Sequence, residues 1–282
     1  MPLSERQLAA FADKHAWRIP FDTSPRYLAG PGDARHVTHG LAAAGWTRTS
    51  DPLSAEIVLR SPDHRHSLQF DPQSATSAWW RLRAEPTGTE PGWYAEFGEL
   101  VPAEVLGGLT DALVSPPPTL SADPVNILED AGWLIDGRGS AFSDPPGCTV
   151  ERRTEQGDAT VPWRVSARVS WHVEARDPEH SPRGPRLWHA WFDVGTPTHL
   201  VHAFVTALAD SAPLQRGMYD RTAHHGVVQK PSPLTPEQVV EAHTARLARI
   251  RRQTRAARRQ PEAVAPPAKE GATRSTARRR SR

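Results

Sequence analysis

Trp93-Tyr94-Ala95-Glu96-Phe97 and Trp188-His189-Ala190-Trp191-Phe192 lie 95 residues apart, and the correspondence continues without a gap over Trp93–Pro116 and Trp188–Ser211. Pro102 falls on Pro197, and Val105, Leu106, Leu109, Ala112 and Leu113 fall on Leu200, Val201, Phe204, Ala207 and Leu208. Each copy therefore reads as a strand followed by a helix whose apolar residues recur at helical spacing, a helix suited to covering a sheet. Upstream, Leu41 and Ala44-Gly45-Trp46 fall on Leu128 and Ala131-Gly132-Trp133 at an offset of 87. The change of offset places an insertion between the anchors of the second copy, as repeats tolerate in loops.

Working outward, each copy opens with a short helix. Asp33 and Asp123 are the expected N-caps, the second followed by Pro124, and Gly45 and Gly132 sit where a helix ends in left-handed geometry. Strands are expected at 46–49, 56–60, 67–71, 78–84 and 93–97, with counterparts at 133–136, 141–143, 148–153, 163–176 and 187–194. In the fourth of the second set, Trp163, Val165, Ala167, Val169, Trp171, Val173 and Ala175 alternate with polar residues, the pattern of an antiparallel strand with one wetted face.

The expected fold class is α+β. Two tandem repeats each hold an antiparallel sheet of about five strands between an opening and a closing helix, related by a pseudo-twofold. The expected divisions are an N-terminal helix and lead-in (1–26), repeat domains at 27–117 and 118–214, a linker (215–234), a basic helix (235–259) and a disordered basic tail (260–282). Ser4 and Gln7 form a candidate capping box for the first helix, and Thr235-Pro236-Glu237-Gln238 starts the last.

A chain of 282 residues with 10 tryptophans has room for a substantial core, and its 28 prolines favour turns over long helices. The 34 basic residues include only Lys14, Lys230 and Lys269, leaving 34 − 3 = 31 arginines. Residues 231–282 hold 12 Arg, 1 Lys and 4 Glu, a net of +9, so residues 1–230 carry 2 − 9 = −7. An acidic body thus carries a basic tail. One cysteine, Cys148, excludes an internal disulfide; no stretch resembles a signal peptide or a membrane span, and a cytoplasmic location is expected.

The run Ser24-Pro25-Arg26-Tyr27-Leu28-Ala29-Gly30-Pro31-Gly32-Asp33, then Ala44-Gly45-Trp46, Ser61-Pro62-Asp63, Trp79-Trp80 and Trp93-Tyr94-Ala95-Glu96-Phe97, resembles an actinobacterial family called domain of unknown function 317. The similarity covers about residues 24–116 and, more weakly, 120–212, where Trp133, Trp171, Trp188 and Phe192 persist but the Ser-Pro-Asp turn is replaced. Its members commonly carry the domain in tandem, which is what the resemblance implies here; it implies no activity, ligand or catalytic residue.

The chemistry-bearing candidates are few. Arg246, Arg249, Arg251, Arg252, Arg255, Arg258 and Arg259 on the last helix, with Arg278, Arg279 and Arg280 beyond it, suit the sequence-independent neutralisation of nucleic-acid phosphates. Adjacent strand residues point to opposite faces, so one of Trp79 and Trp80, and one of Trp188 and Trp191, is a candidate for a protein interface unless the two repeats pack face to face and cover it. The pairs His64/His66, His199/His202 and His224/His225 lack a Cys, Asp or Glu at recognised ligand spacing, so no metal is expected. Cys148 reads as a half-buried strand residue and Glu96 and Glu99 as surface charges, and no nucleophile elbow, phosphate loop or dinucleotide fingerprint occurs. A non-catalytic binding or adaptor protein is expected, without cofactor, with a protein partner held by the repeats and nucleic acid held by the tail. The competing expectation is a ligand-binding protein or enzyme with a site between the repeats.

Overall fold

A computed structural model describes residues 4–119, 122–155, 168–180 and 184–259. The first helix, α1 (Glu5–Ala16), carries the capping box, with the Ser4 hydroxyl accepting from Gln7 N and the Gln7 side chain accepting from Ser4 N. A strand, β1 (Pro20–Ser24), leads into α2 (Arg35–Ala43), then β2 (Thr47–Arg48), β3 (Ile57–Arg60), β4 (His66–Phe70), β5 (Ala78–Ala84), β6 (Trp93–Gly98) and α3 (Ala103–Leu113). The same succession follows again as α4 (Pro124–Asp130), β7 (Leu134–Ile135), β8 (Ala141–Phe142), β9 (Cys148–Glu155), β10 (Arg168–Arg176), β11 (Arg186–Phe192) and α5 (Thr198–Ala209). Both opening helices end alike. Gly45 and Gly132 have φ of 94° and 85°, and the next residues, Trp46 and Trp133, donate their backbone N–H to Leu41 O and Leu128 O at 3.0 and 2.9 Å. Asp123 caps α4 as expected from its sequence, accepting from Val125 N, whereas Asp33 lies one residue ahead of the α2 cap and accepts from Arg35 N.

The ten strands β2 to β11 form one antiparallel sheet in the order β2-β3-β4-β5-β6-β11-β10-β9-β8-β7. The two halves do not pack face to face, as the sequence reading allowed; β6 pairs with β11, and the sheet runs through the junction. The reason lies in the alternation: Trp93, Ala95 and Phe97, and Trp188, Ala190 and Phe192, are all buried on one face, so a single helical layer can cover both halves. Helices α3 and α5 meet over the seam, where Phe97, Phe192 and Phe204 form a cluster with ring centroids 5.3–5.6 Å apart. On the face beneath the helices the seam is apolar and closely packed.

Residues 215–234, expected to be a linker, instead supply two strands: β12 (Leu214–Gly217) and β13 (Val228–Pro231) flank β1 in a three-stranded sheet. What fixes β12 is Arg216, which is 2% exposed. Its guanidinium donates to both carboxylate oxygens of Glu104 on α3 at 2.6 and 3.0 Å, and to Ala29 O and Gly30 O at 2.9 and 3.0 Å. The segment after β1 also reaches the second half, with Tyr27 accepting at its carbonyl from Trp188 Nε1 (2.8 Å) and donating from its hydroxyl to Pro145 O (2.7 Å). The last helix, α6 (Pro236–Arg259), lies against α1 and α2 rather than standing apart. The first five residues of the alternating run that begins at Trp163, and the tail 260–282, lie outside the described residues.

Candidate functional site

The inner half of α6 is seated by three residues at spacings of four and three. His243, Leu247 and Ile250 are buried against the body. The imidazole of His243 stacks on Phe11 of α1 at 4.0 Å, and its Nε2 lies 3.3 Å from Nδ1 of His39 on α2. Burial holds this histidine cluster neutral, pushing His243 down to about 3, His15 and His39 down to about 4, and lowering His36 as well. Asp33 at the rim stays ionised: burial opposes its charge, but hydrogen bonds from Arg35 and the Lys14 ammonium at 3.0 Å hold its carboxyl well below the usual range. Arg246 closes the seat. It donates from Nε and Nη2 to the Asp111 carboxylate at 2.8 and 2.6 Å, and to His36 O and Gly107 O at 2.7 and 3.2 Å.

Beyond Ile250 the helix runs on past the end of α2 and the turn between β3 and β4. Arg251, Arg255 and Arg258, at i, i+4 and i+7, share one side of α6 and line a groove of about 490 Å³ whose far wall includes Gly45, Ser61 and His64. Two backbone features shape that wall. Gly45 lets the chain pass so close that a Cβ there would sit 2.9 Å from Arg258 Nη2, and His64 holds a left-handed φ of 60° at the turn. Thr254 Oγ1, also in the groove, is buried without a hydrogen-bond partner.

Charge distinguishes the two halves of α6. Among the described residues, the α6 arginines within 4 Å of a carboxylate are Arg246 and Arg249, both on Asp111. Arg251, Arg252, Arg255, Arg258 and Arg259 meet no carboxylate of the described residues. Arg246 is thus a structural clamp, while the groove gathers Arg251, Arg255 and Arg258; Arg252 and Arg259 are exposed elsewhere on the helix, and Arg278, Arg279 and Arg280 lie outside the described residues.

The four candidate tryptophans divide by strand parity. Trp80 and Trp188 are buried beneath the helices, at 3% and 2% exposure. Trp79 and Trp191 are half-buried on the other parity, Trp79 beside Phe70 and Trp191 beside Tyr94 with centroids 6.2 and 5.7 Å apart. Near Trp191, Glu96 accepts from the Tyr94 hydroxyl at 2.8 Å and lies 3.3 Å from His189 Nε2. A shallow pocket of about 300 Å³ on the same sheet face is lined by Glu151, His172, Glu174 and Arg176. Cys148 borders it, but burial pushes its thiol up, away from the thiolate a nucleophile requires.

These features define an α+β protein with one ten-stranded antiparallel sheet under a layer of helices. Two stretches of the chain, residues 60–119 and 147–214, match the family model SPDY, a domain of unknown function (DUF317), consistent with a tandem duplicated domain. The two matches cover β4 to β6 with α3 and β9 to β11 with α5, the parts that meet at the seam. No curated protein and no solved structure matches the chain. No helix of the described residues is long and apolar enough to cross a membrane.

Proposed function

We propose that the protein is a non-catalytic binding protein in which a duplicated α+β unit serves as a rigid scaffold and the outer half of α6 attaches it to nucleic acid. The observation that carries this reading is the convergence of Arg251, Arg255 and Arg258 on one groove with no carboxylate of the described residues within 4 Å of them. Guanidinium groups so placed can take phosphate oxygens in pairs, releasing condensed counterions, and need no base contacts to do so. The aromatic packing of the seam beneath the helices supports a scaffold over a catalyst, because a site between the halves on that face would need open space there.

The test compares the full chain with a variant carrying Arg251→Ala, Arg255→Ala and Arg258→Ala, using fluorescence anisotropy of labelled duplex and single-stranded DNA. The triple variant is expected to bind at least about tenfold more weakly at moderate salt. Equal binding by both proteins would remove the groove from the account.

A further inference from the structure

Far from the α6 groove, two segments distant in sequence bring five metal-ligating side chains together at the end of β10. One is the single helical turn Pro178–His180 with Asp177 before it; the other is the connection between β12 and β13, carrying His224 and His225. Both are anchored by backbone. Asp177 N donates to Pro185 O at 3.0 Å, and Ala223 N donates to Leu28 O at 2.9 Å.

Within the first segment His180 Nδ1 lies 2.9 Å from Asp177 Oδ2; across the junction His224 Nε2 lies 3.2 Å from Asp177 Oδ1 and His225 Nε2 lies 2.9 Å from Glu179 Oε1. In each of two sets, Asp177–Glu179–His180 and Glu179–His224–His225, one ligand atom per residue falls within 4.8 Å of the others, and Glu179 belongs to both. Among the described residues no Lys or Arg lies within 4 Å of either carboxylate. Among the described residues histidine is the partner that each carboxylate meets.

The tautomer of His224 sorts the roles. Its Nδ1 accepts from Gly226 N at 3.0 Å, which leaves the proton on Nε2, the nitrogen that lies 3.2 Å from Asp177 Oδ1. His224 therefore flanks the Asp177 carboxylate without offering it a lone pair, while Asp177, Glu179, His180 and His225 keep lone pairs to offer. We propose that Glu179, the residue common to both sets, and His225 bind one divalent transition-metal ion of the zinc class, with Asp177 and His180 of the other set within reach of the same carboxylate. A mixture of imidazole nitrogen and carboxylate oxygen suits such an ion, whereas calcium and magnesium take all-oxygen sets. Bound there, the ion fastens the β12–β13 connection to the second half of the large sheet.

Metal-freed full-length protein is titrated with Zn²⁺ against a chromogenic chelator, alongside Glu179→Gln, His225→Ala and, as a control on a separate histidine, His199→Ala. Glu179 and His225 are exposed, at 56% and 76% of their side chains, and their replacement leaves the core untouched. The expected result is one tight equivalent in the wild type and the control, with affinity reduced at least about tenfold in Glu179→Gln and His225→Ala. The proposal is overturned if the wild type takes up no stoichiometric zinc, or if both variants bind it as the wild type does.

Discussion

Glu96 on β6 and Trp191 on β11 stand directly opposite each other across the seam, and they are also counterparts at the offset of the internal match, since 191 − 96 = 95. The neighbouring pairs, Ala95 with Phe192 and Phe97 with Ala190, exchange under the same offset. A local twofold axis therefore passes between Glu96 and Trp191. The helical layer obeys it: Gly108 of α3 approaches Ala203, its own counterpart at 203 − 108 = 95, and Ala207.

That approach makes Gly108 a packing requirement. A Cβ there would lie 2.8 Å from Ala207 Cβ. Gly108→Val is expected to destabilise the protein by about 1–3 kcal/mol in urea unfolding, whereas Gly88→Ala, with nothing within 4 Å of the added carbon, leaves the midpoint near that of the wild type.

Arg246 ties α6 to the body through Asp111, His36 O and Gly107 O. Arg246→Ala leaves these acceptors without their donor and is expected to cost about 2–3 kcal/mol. Arg246→Lys restores the charge but not the fork, so it recovers only part of the loss. The unfolding midpoints of the two variants, compared with the wild type, measure this.

Acid should loosen the same interface. His39 and His243 have folded-state values lowered to about 4 and about 3, below the 6.5 of the unfolded chain. The unfolded chain therefore takes up protons first, so their contribution is complete above pH 6.5 and is lost as pH falls from 6.5 towards about 4 for His39 and about 3 for His243. Lys14, Arg18, Arg35 and Arg246 surround the cluster and oppose its protonation, while Asp33 and Glu104 favour it. Unfolding free energy is expected to fall by on the order of 1 kcal/mol per pH unit for each histidine across that window. His243→Phe, which keeps a ring on Phe11, should flatten the slope by about one histidine's share.

Cys148 is 2% exposed, with its thiol pushed up by burial. A thiol reagent at neutral pH is expected to leave it unmodified in the folded protein and to label it stoichiometrically in denaturant. Rapid labelling of the folded protein would contradict the packing of β9.

Much of this fold was legible because its signals are local. The ungapped match placed β6, α3, β11 and α5, and Gly45 and Gly132 marked helix ends that the backbone confirms with left-handed φ. The missing parts depend on partners distant in sequence. Gln215-Arg216 and Gln229-Lys230 are polar and look like linker until β1, some 200 residues earlier, pairs with both. Strand alternation names the buried face but not which edge joins, so the continuous sheet could not be read from Trp93–Phe97 alone. Arg246 and Arg258 look alike in sequence; Asp111, 135 residues from Arg246, separates their roles. His224 and His225 likewise meet Asp177 and Glu179 only in the folded chain.

The most direct measurement of the central claim is the salt dependence of DNA binding by the full chain, by a chain ending at Arg259, and by each with Arg251, Arg255 and Arg258 replaced by alanine. If the groove carries attachment, removing the three arginines lowers the slope of log affinity against log salt by about two to three in both lengths of chain. A slope that ignores the three replacements and changes only when residues 260–282 are removed, or an absence of binding throughout, would contradict it.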